Sequence, residues 1–183
     1  MGCMSLPAIA PLTSLPALQH PELLAAPTLA ALRGWEHGGE VAVVAIDPDV
    51  ADTAAMMAEY DLTADMGANC VIVSGKRAGV ERIAAVLVRA DRRADVNGLV
   101  KRTLDVRSAS FHAMDRAVEE SGMEYGGITP LGLPAGWRLL VDPGALEIDV
   151  VIIGSGLRTS KLLVPGYLLG ELPGAEVIDG IGH

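Results

Sequence analysis

The sequence predicts an α+β fold built on a mixed sheet. Three observations lead there. Apolar runs of strand length fall in hairpin-like pairs instead of alternating strictly with helices, as a parallel sheet would require. Segments with helical spacing lie between those pairs. Half of the 183 residues are apolar while only 3% are aromatic, so one core of Ala, Val, Leu and Ile must serve a single domain of this length.

The elements follow in order. Residues 1–34 are rich in Ala, Leu and Pro, and prolines at 7, 11, 16, 21 and 27 forbid a long helix before Pro21. Leu23 to Leu32 suits one short helix, so residues 1–39 are expected to form an arm laid on a domain that spans 40–183. VAVVAID (41–47) is a buried strand, and Asp49 to Tyr60 a helix carrying Met56 and Met57. NCVIVSG (69–75) and IAAVLVRA (83–90) make two strands of a hairpin across GKRAGVE. Asp95 to Leu104 is helical by spacing, with Val96, Leu99, Val100 and Leu104 inward and Lys101 and Arg102 outward. Ser110 is placed to cap a helix that runs to Ser121 and buries Phe111, Met114 and Val118, with Gly122 ending it. WRLLVD (137–142), EIDVVIIG (147–154) and KLLV (161–164) are strands, and Pro165 opens a last short helix.

Charge and composition exclude several classes. No apolar run approaches the length of a membrane span. No basic residue precedes Arg33, which argues against a signal peptide, and Leu6 stands where a myristoylation signal wants Ser or Thr. Two cysteines, Cys3 and Cys70, predict a reduced, cytoplasmic protein without a disulfide framework. The net charge is -9, yet nine of the fourteen basic residues lie between Lys76 and Arg107 against four acids. That window is a candidate basic face on an acidic body, able to steer a polyanion; a solvated helix face with turn charges would give the same count.

Common catalytic constellations fail by spacing. GSGLRTSK (154–161) begins G-x-G, but Thr159 replaces the third glycine of a dinucleotide loop, and Lys161 follows Ser160 where a P-loop needs glycine. Ser74 and Ser155 miss the G-x-S-x-G elbow. The four histidines lack metal-ligand spacing, so neither metal nor cofactor is expected. Cys70 sits in an apolar strand, where a thiol is usually inert, and His112 is expected to be a surface or half-buried residue and not a base. What stands out is YGGITPLGLP (125–134). Gly126 and Gly127 let main-chain groups approach a ligand, Pro130 stiffens the far side, and Thr129 adds a hydroxyl. Such a loop can cradle a carbonyl or an ester and hold developing charge; it can also be a plain tight connection.

Read together, ADRRAD (90–95), YGGITPLGLP (125–134), LLVDPGALE (139–147) and VVIIGSGLRTSKLLVPGYLL (150–169) resemble the YbaK/EbsC family of prolyl-tRNA editing domains and aminoacyl-tRNA deacylases. The order and spacing match from about Val41 to Leu169. The resemblance implies a curved, partly barrel-like mixed sheet with surrounding helices. It also implies hydrolysis of the ester that joins a wrong amino acid to a tRNA 3′ end. In the family the G-x-x-x-P loop positions the amino acid, and a lysine near the start of the second core strand contacts the terminal nucleotide. That loop falls on Gly126 to Pro130.

Where the family lysine is expected, this sequence has Asn69, which donates hydrogen bonds but brings no charge. Either Asn69 serves a modified site, or Lys76, Lys161 or Arg158 supplies the charge, or hydrolysis is lost. The expected assignment follows. Asn69, Gly126, Gly127, Thr129 and Pro130 carry the chemistry. Ile128, Asp142, Ser155 and Gly156 bind the aminoacyl group, with Asp142 alternatively a turn cap. Lys76, Arg92, Arg93, Lys101 and Arg102 meet the tRNA. The rival expectation is a binding module for tRNA, an aminoacyl-nucleotide or a synthetase that cleaves nothing.

Overall fold

The computed structural model describes residues 5–183, so Cys3 lies outside the described residues. Two sheets stack around a central core, and each carries a further apolar cluster on its other face. In chain order the elements are β1 (Leu15–Pro16), α1 (Ala26–Gly34), β2 (Ala42–Ala45), α2 (Thr53–Glu59), β3 (Ala68–Arg77), β4 (Val80–Arg89), α3 (Lys101–Leu104), β5 (Ala109–Phe111), α4 (Met114–Ser121), β6 (Arg138–Val141), α5 (Pro143–Leu146), β7 (Val150–Gly154), β8 (Ser160–Pro165) and β9 (Ala175–Val177). One sheet runs β1-β2-β8-β7 and is antiparallel; the other runs β5-β3-β4-β6-β9 and is mixed, since β4–β6 and β6–β9 are parallel. The α+β class with a mixed sheet is therefore what forms. The sheets meet where Gly67, just before β3, bridges Ile152 of β7.

Strand alternation explains why the apolar runs looked continuous. On β8, Leu162 and Val164 face the core between the sheets, while Leu163 faces Met56 and Met57 on the outer side. On β4, Ala85 and Leu87 point inward, and Ala84, Val86 and Val88 pack against Val100 and Leu104. A strand buried on both faces has no polar side to show. The N-terminal segment adds Ala17, Leu24 and Leu32 to the central core, and β1 pairs with β2. No helix among the described residues is long and apolar enough to cross a membrane.

Several element boundaries differ from expectation, each for a local reason. The hairpin turn is only Ala78-Gly79, both at positive φ (50° and 79°), and the ladder runs on through Lys76↔Glu81. Lys76 and Arg77 are exposed and Glu81 is partly so, and the apolar pattern stops before the hydrogen bonds do. Asp49–Tyr60 divides into a 3₁₀ turn at Pro48–Val50 and α2, each capped by its own aspartate, Asp47 and Asp52. Val96–Val100 is a π-helical turn closed by the Asp95 carboxylate, which accepts from the Gly98 and Leu99 amides at 3.0 and 2.7 Å. The segment read as a strand from Glu147 begins only at Val150, after the short helix α5.

The largest departure concerns Ser110. It caps nothing: Ala109–Phe111 pairs with β3, and α4 starts at Met114 behind Ala113. Ala117 and Ser121 are the buried positions of α4, while Phe111 and Met114 are exposed at 67% and 47%. His112, expected at the surface or half-buried, is more deeply buried than that, with Nδ1 2.9 Å from Ser74 Oγ and its ring edge-on to Trp137.

Candidate functional site

At the meeting of the two sheets lies a cavity of about 380 Å³. Its walls come from α2, the first half of β3, the end of β7, the start of α4 and the loop after α4. Met56, Met57, Ile72 and Ile152 supply a largely apolar floor, each 7% exposed or less. Asn69, Gly126, Arg158 and Lys161 supply the polar groups.

Lys161 is the unusual residue. It sits on β8, in register with Val44 and Gly154, and is only 6% exposed. Its ammonium donates to the Gly126 carbonyl at 3.1 Å, and among the described residues no carboxylate pairs with it. Burial, and secondarily the Arg158 guanidinium, push its amine down to about 8, against a weaker upward pull from Asp52. Across the cavity, Thr53 Oγ1 donates to Asn69 Oδ1 at 2.6 Å, which leaves the Asn69 amide protons for a ligand. Arg158 donates to the Tyr125 and Pro48 carbonyls at 3.1 and 2.8 Å. Cys70 also lines the cavity, but burial raises its thiol to about 12, so no thiolate nucleophile is available.

The glycine loop divides between the cavity and its support. Gly126 (φ 81°) and Ile128 line the cavity, and among the described residues neither of their amides donates to another protein group. Gly127 turns away: its amide donates to Glu124 O and its carbonyl accepts from the Gly156 amide at 2.7 Å. Ser155 is buried behind the same junction, its hydroxyl bonded to Ser160. The N-terminal segment closes this back wall, because Ala25 N donates to Ser155 O and Ser160 Oγ donates to Leu23 O. Thr129 is fully buried beside Met123, and Pro130 borders a separate surface depression with Trp137.

Of the residues singled out in the sequence, Asn69, Gly126 and Ile128 therefore share one cavity. Gly127, Ser155 and Gly156 support it, and Thr129 and Pro130 lie beyond it. Asp142 does not line it. Its buried carboxylate caps α5 through the Gly144 amide at 3.0 Å and holds Arg92 Nη1 at 3.1 Å. Asp142→Ala is expected to cost about 2–4 kcal/mol in urea unfolding, with Asp142→Asn in between; wild-type stability in the alanine variant would contradict this reading of the contact. Lys76 is exposed on β3, Arg93 and Arg102 are exposed, and Lys101 is partly so. Arg77 and Arg82 both pair with Asp105, which removes them from the free charge of this window. Among the described residues no group of three or more His, Cys, Asp or Glu is placed to hold a metal ion.

Residues 47–169 match the family model described as the aminoacyl-tRNA editing domain. No curated protein sequence matches the chain. Among solved structures, a protein proposed as a trans-editing enzyme for prolyl tRNA synthetase superposes with a TM-score of 0.71 at 19% identity, covering 85% of this chain and 94% of that one. The hypothetical protein APE2540 superposes with a TM-score of 0.67 at 23% identity, covering 77% and 90%. At such identities the superpositions establish the shared fold.

Proposed function

The chain belongs to the aminoacyl-tRNA editing domain family, and on that footing we infer that it removes wrongly attached amino acids from tRNA by hydrolysing the 3′ ester in trans. The observation that carries this reading is the buried Lys161, which among the described residues forms no ion pair, beside two loop amides without a protein acceptor. Water attacks the ester carbonyl, and the carbonyl oxygen gains negative charge as the bond forms. Preorganised N–H donors and a cation in a water-poor site stabilise that charge far better than solvent does. The Gly126 and Ile128 amides and Lys161 are the donors available. The tetrahedral species then collapses, releasing the free amino acid and a tRNA 3′ hydroxyl that regains a proton from solvent. Asn69 orients the terminal ribose through its free amide protons, and the apolar floor takes the amino-acid side chain.

In this reading the charge that the family lysine brings from the second core strand comes instead from β8. Lys76, Lys101 and Arg102 receive the acceptor stem. Lys76 lies seven residues along β3 from Asn69, about 23 Å at strand rise, a span suited to a tRNA end that reaches from stem to cavity.

Purified protein incubated with a panel of mischarged tRNAs tests the reading, and no ester loss above buffer for any of them removes it. Asn69→Ala is expected to lower the rate about tenfold, the usual scale for one uncharged positioning hydrogen bond. If instead wild type is inert and Asn69→Lys creates activity, the natural protein is a binding module, the reading that the missing strand lysine favours.

A further inference from the structure

The rim of the cavity holds a feature that hydrolysis alone does not require. Phe111, Met114 and Tyr125 are 67%, 47% and 58% exposed, and all three line this cavity. Phe111 is the only phenylalanine in the chain, and Tyr125 is one of three tyrosines. In a sequence with so few rings, two are displayed to solvent at one opening. Neither is needed for the cores, which close without them. Beside them stand Arg158, whose guanidinium donates to two main-chain carbonyls, and Lys161; among the described residues neither forms an ion pair, although Asp52 lines the same cavity and the Glu124 carboxylate accepts from the Arg158 amide. Flat apolar surface next to two cations that form no ion pair among the described residues, in a protein of net charge -9, fits a ligand that is planar at one point and anionic at the next.

We propose that Phe111 and Tyr125 form the stacking surface for the terminal adenine of tRNA, with Arg158 facing the adjoining phosphate. The proposal rests on the editing reading and adds to it the means by which the nucleotide is held. Every base has a π-face, so a stacking surface grips the terminal nucleoside without depending on which amino acid it carries. Discrimination among amino acids is then left to the apolar floor. Both rings line one cavity of about 380 Å³, a scale that suits a single base better than a protein surface.

Calorimetric titration of the trinucleotide CCA, and of the same trinucleotide with an abasic 3′ residue, tests this without any hydrolysis. Wild type is expected to bind CCA and to bind the abasic form more weakly. The double variant Phe111→Ala/Tyr125→Ala is expected to lose affinity for CCA roughly 5- to 100-fold and no longer to distinguish the two ligands. Phe111→Leu/Tyr125→Leu keeps apolar bulk and removes both rings, and the same loss is expected from it. Both side chains are exposed, so thermal unfolding of either variant should match wild type. Phe111→Trp, with Tyr125 in place, should keep the affinity of wild type for CCA. A double variant that binds CCA like wild type overturns the proposal, and so does a wild-type protein with no affinity for CCA or no preference for the intact base. Ring-dependent CCA binding by a protein that leaves every mischarged tRNA intact retains this site and removes only the deacylase reading. Ester hydrolysis with an unchanged KM in the double variant does the reverse.

Discussion

Replacing Lys161 by methionine is expected to make the protein more stable at pH 7 and nearly inactive. A buried ammonium with one carbonyl partner and, among the described residues, no ion pair keeps little of its hydration energy. Its amine is held near 8, below the ordinary lysine value, so between about pH 8 and 10.5 the unfolded chain binds a proton that the folded chain does not. Stability therefore rises with pH across that window, and below pH 8 the full penalty of folding around a charged Lys161 is present. Methionine fills similar volume without the charge. Lys161→Met should gain on the order of 1–3 kcal/mol in denaturant unfolding at pH 7, and the difference from wild type should shrink as the pH is raised from 8 toward 10.5. Ester hydrolysis should fall roughly 10²- to 10³-fold, the scale of losing one charge-stabilising group. Wild-type rates, corrected for buffer hydrolysis, should also decline through pH 8 as the amine loses its proton. Lys161→Met that is both destabilised and fully active would remove Lys161 from the mechanism.

That residue also shows how far the sequence could be read. The strands were legible because Val, Leu and Ile runs bounded by turn residues admit few other readings, and the block order around the glycine loop pointed to the family. Lys161 was visible only as one of several possible sources of charge. Nothing in linear order reports that β8 brings it to the Gly126 carbonyl. Phe111 and Met114 were misplaced for an instructive reason. Their apolar character at helical spacing looks like a core face, yet they stand at the cavity mouth, where a binding rim breaks the rule that large apolar groups are hidden. Asp142 shows the opposite case. A carboxylate inside a family-like block drew a substrate role, while its neighbours Pro143 and Gly144 already spelled the helix cap it forms. The N-terminal segment lies outside the matched family region, but Leu23 and Ala25 hold the back of the loop junction. Proline spacing gave no hint of those two contacts.

Gly127→Ala is expected to damage both stability and activity, because the added methyl meets backbone. A Cβ at Gly127 would lie 2.6, 2.8 and 2.9 Å from the O, C and N atoms of Leu157, all main chain and unable to rotate away. The crowding is mutual, because a Cβ on Gly154 would meet the Gly127 and Ile128 carbonyl oxygens. The two loops are packed backbone on backbone, tied by the 2.7 Å bond from Gly156 N to Gly127 O. A methyl inserted there must part them by roughly 0.5–1 Å, at about 1–3 kcal/mol of stability. Gly126 and Ile128, which flank Gly127, would carry their free amides off line, and a displacement near 1 Å can cost about 10²-fold in rate. Gly136→Ala separates this from simple backbone strain. Gly136 has φ of 89° but open space around its missing Cβ, so alanine there should cost about 1–2 kcal/mol through conformation alone and leave catalysis unchanged. The pair of variants distinguishes a loop that must touch its neighbour from one that merely turns. Equal hydrolysis rates in folded Gly127→Ala and Gly136→Ala proteins would show that the loop junction does not set the geometry of the cavity.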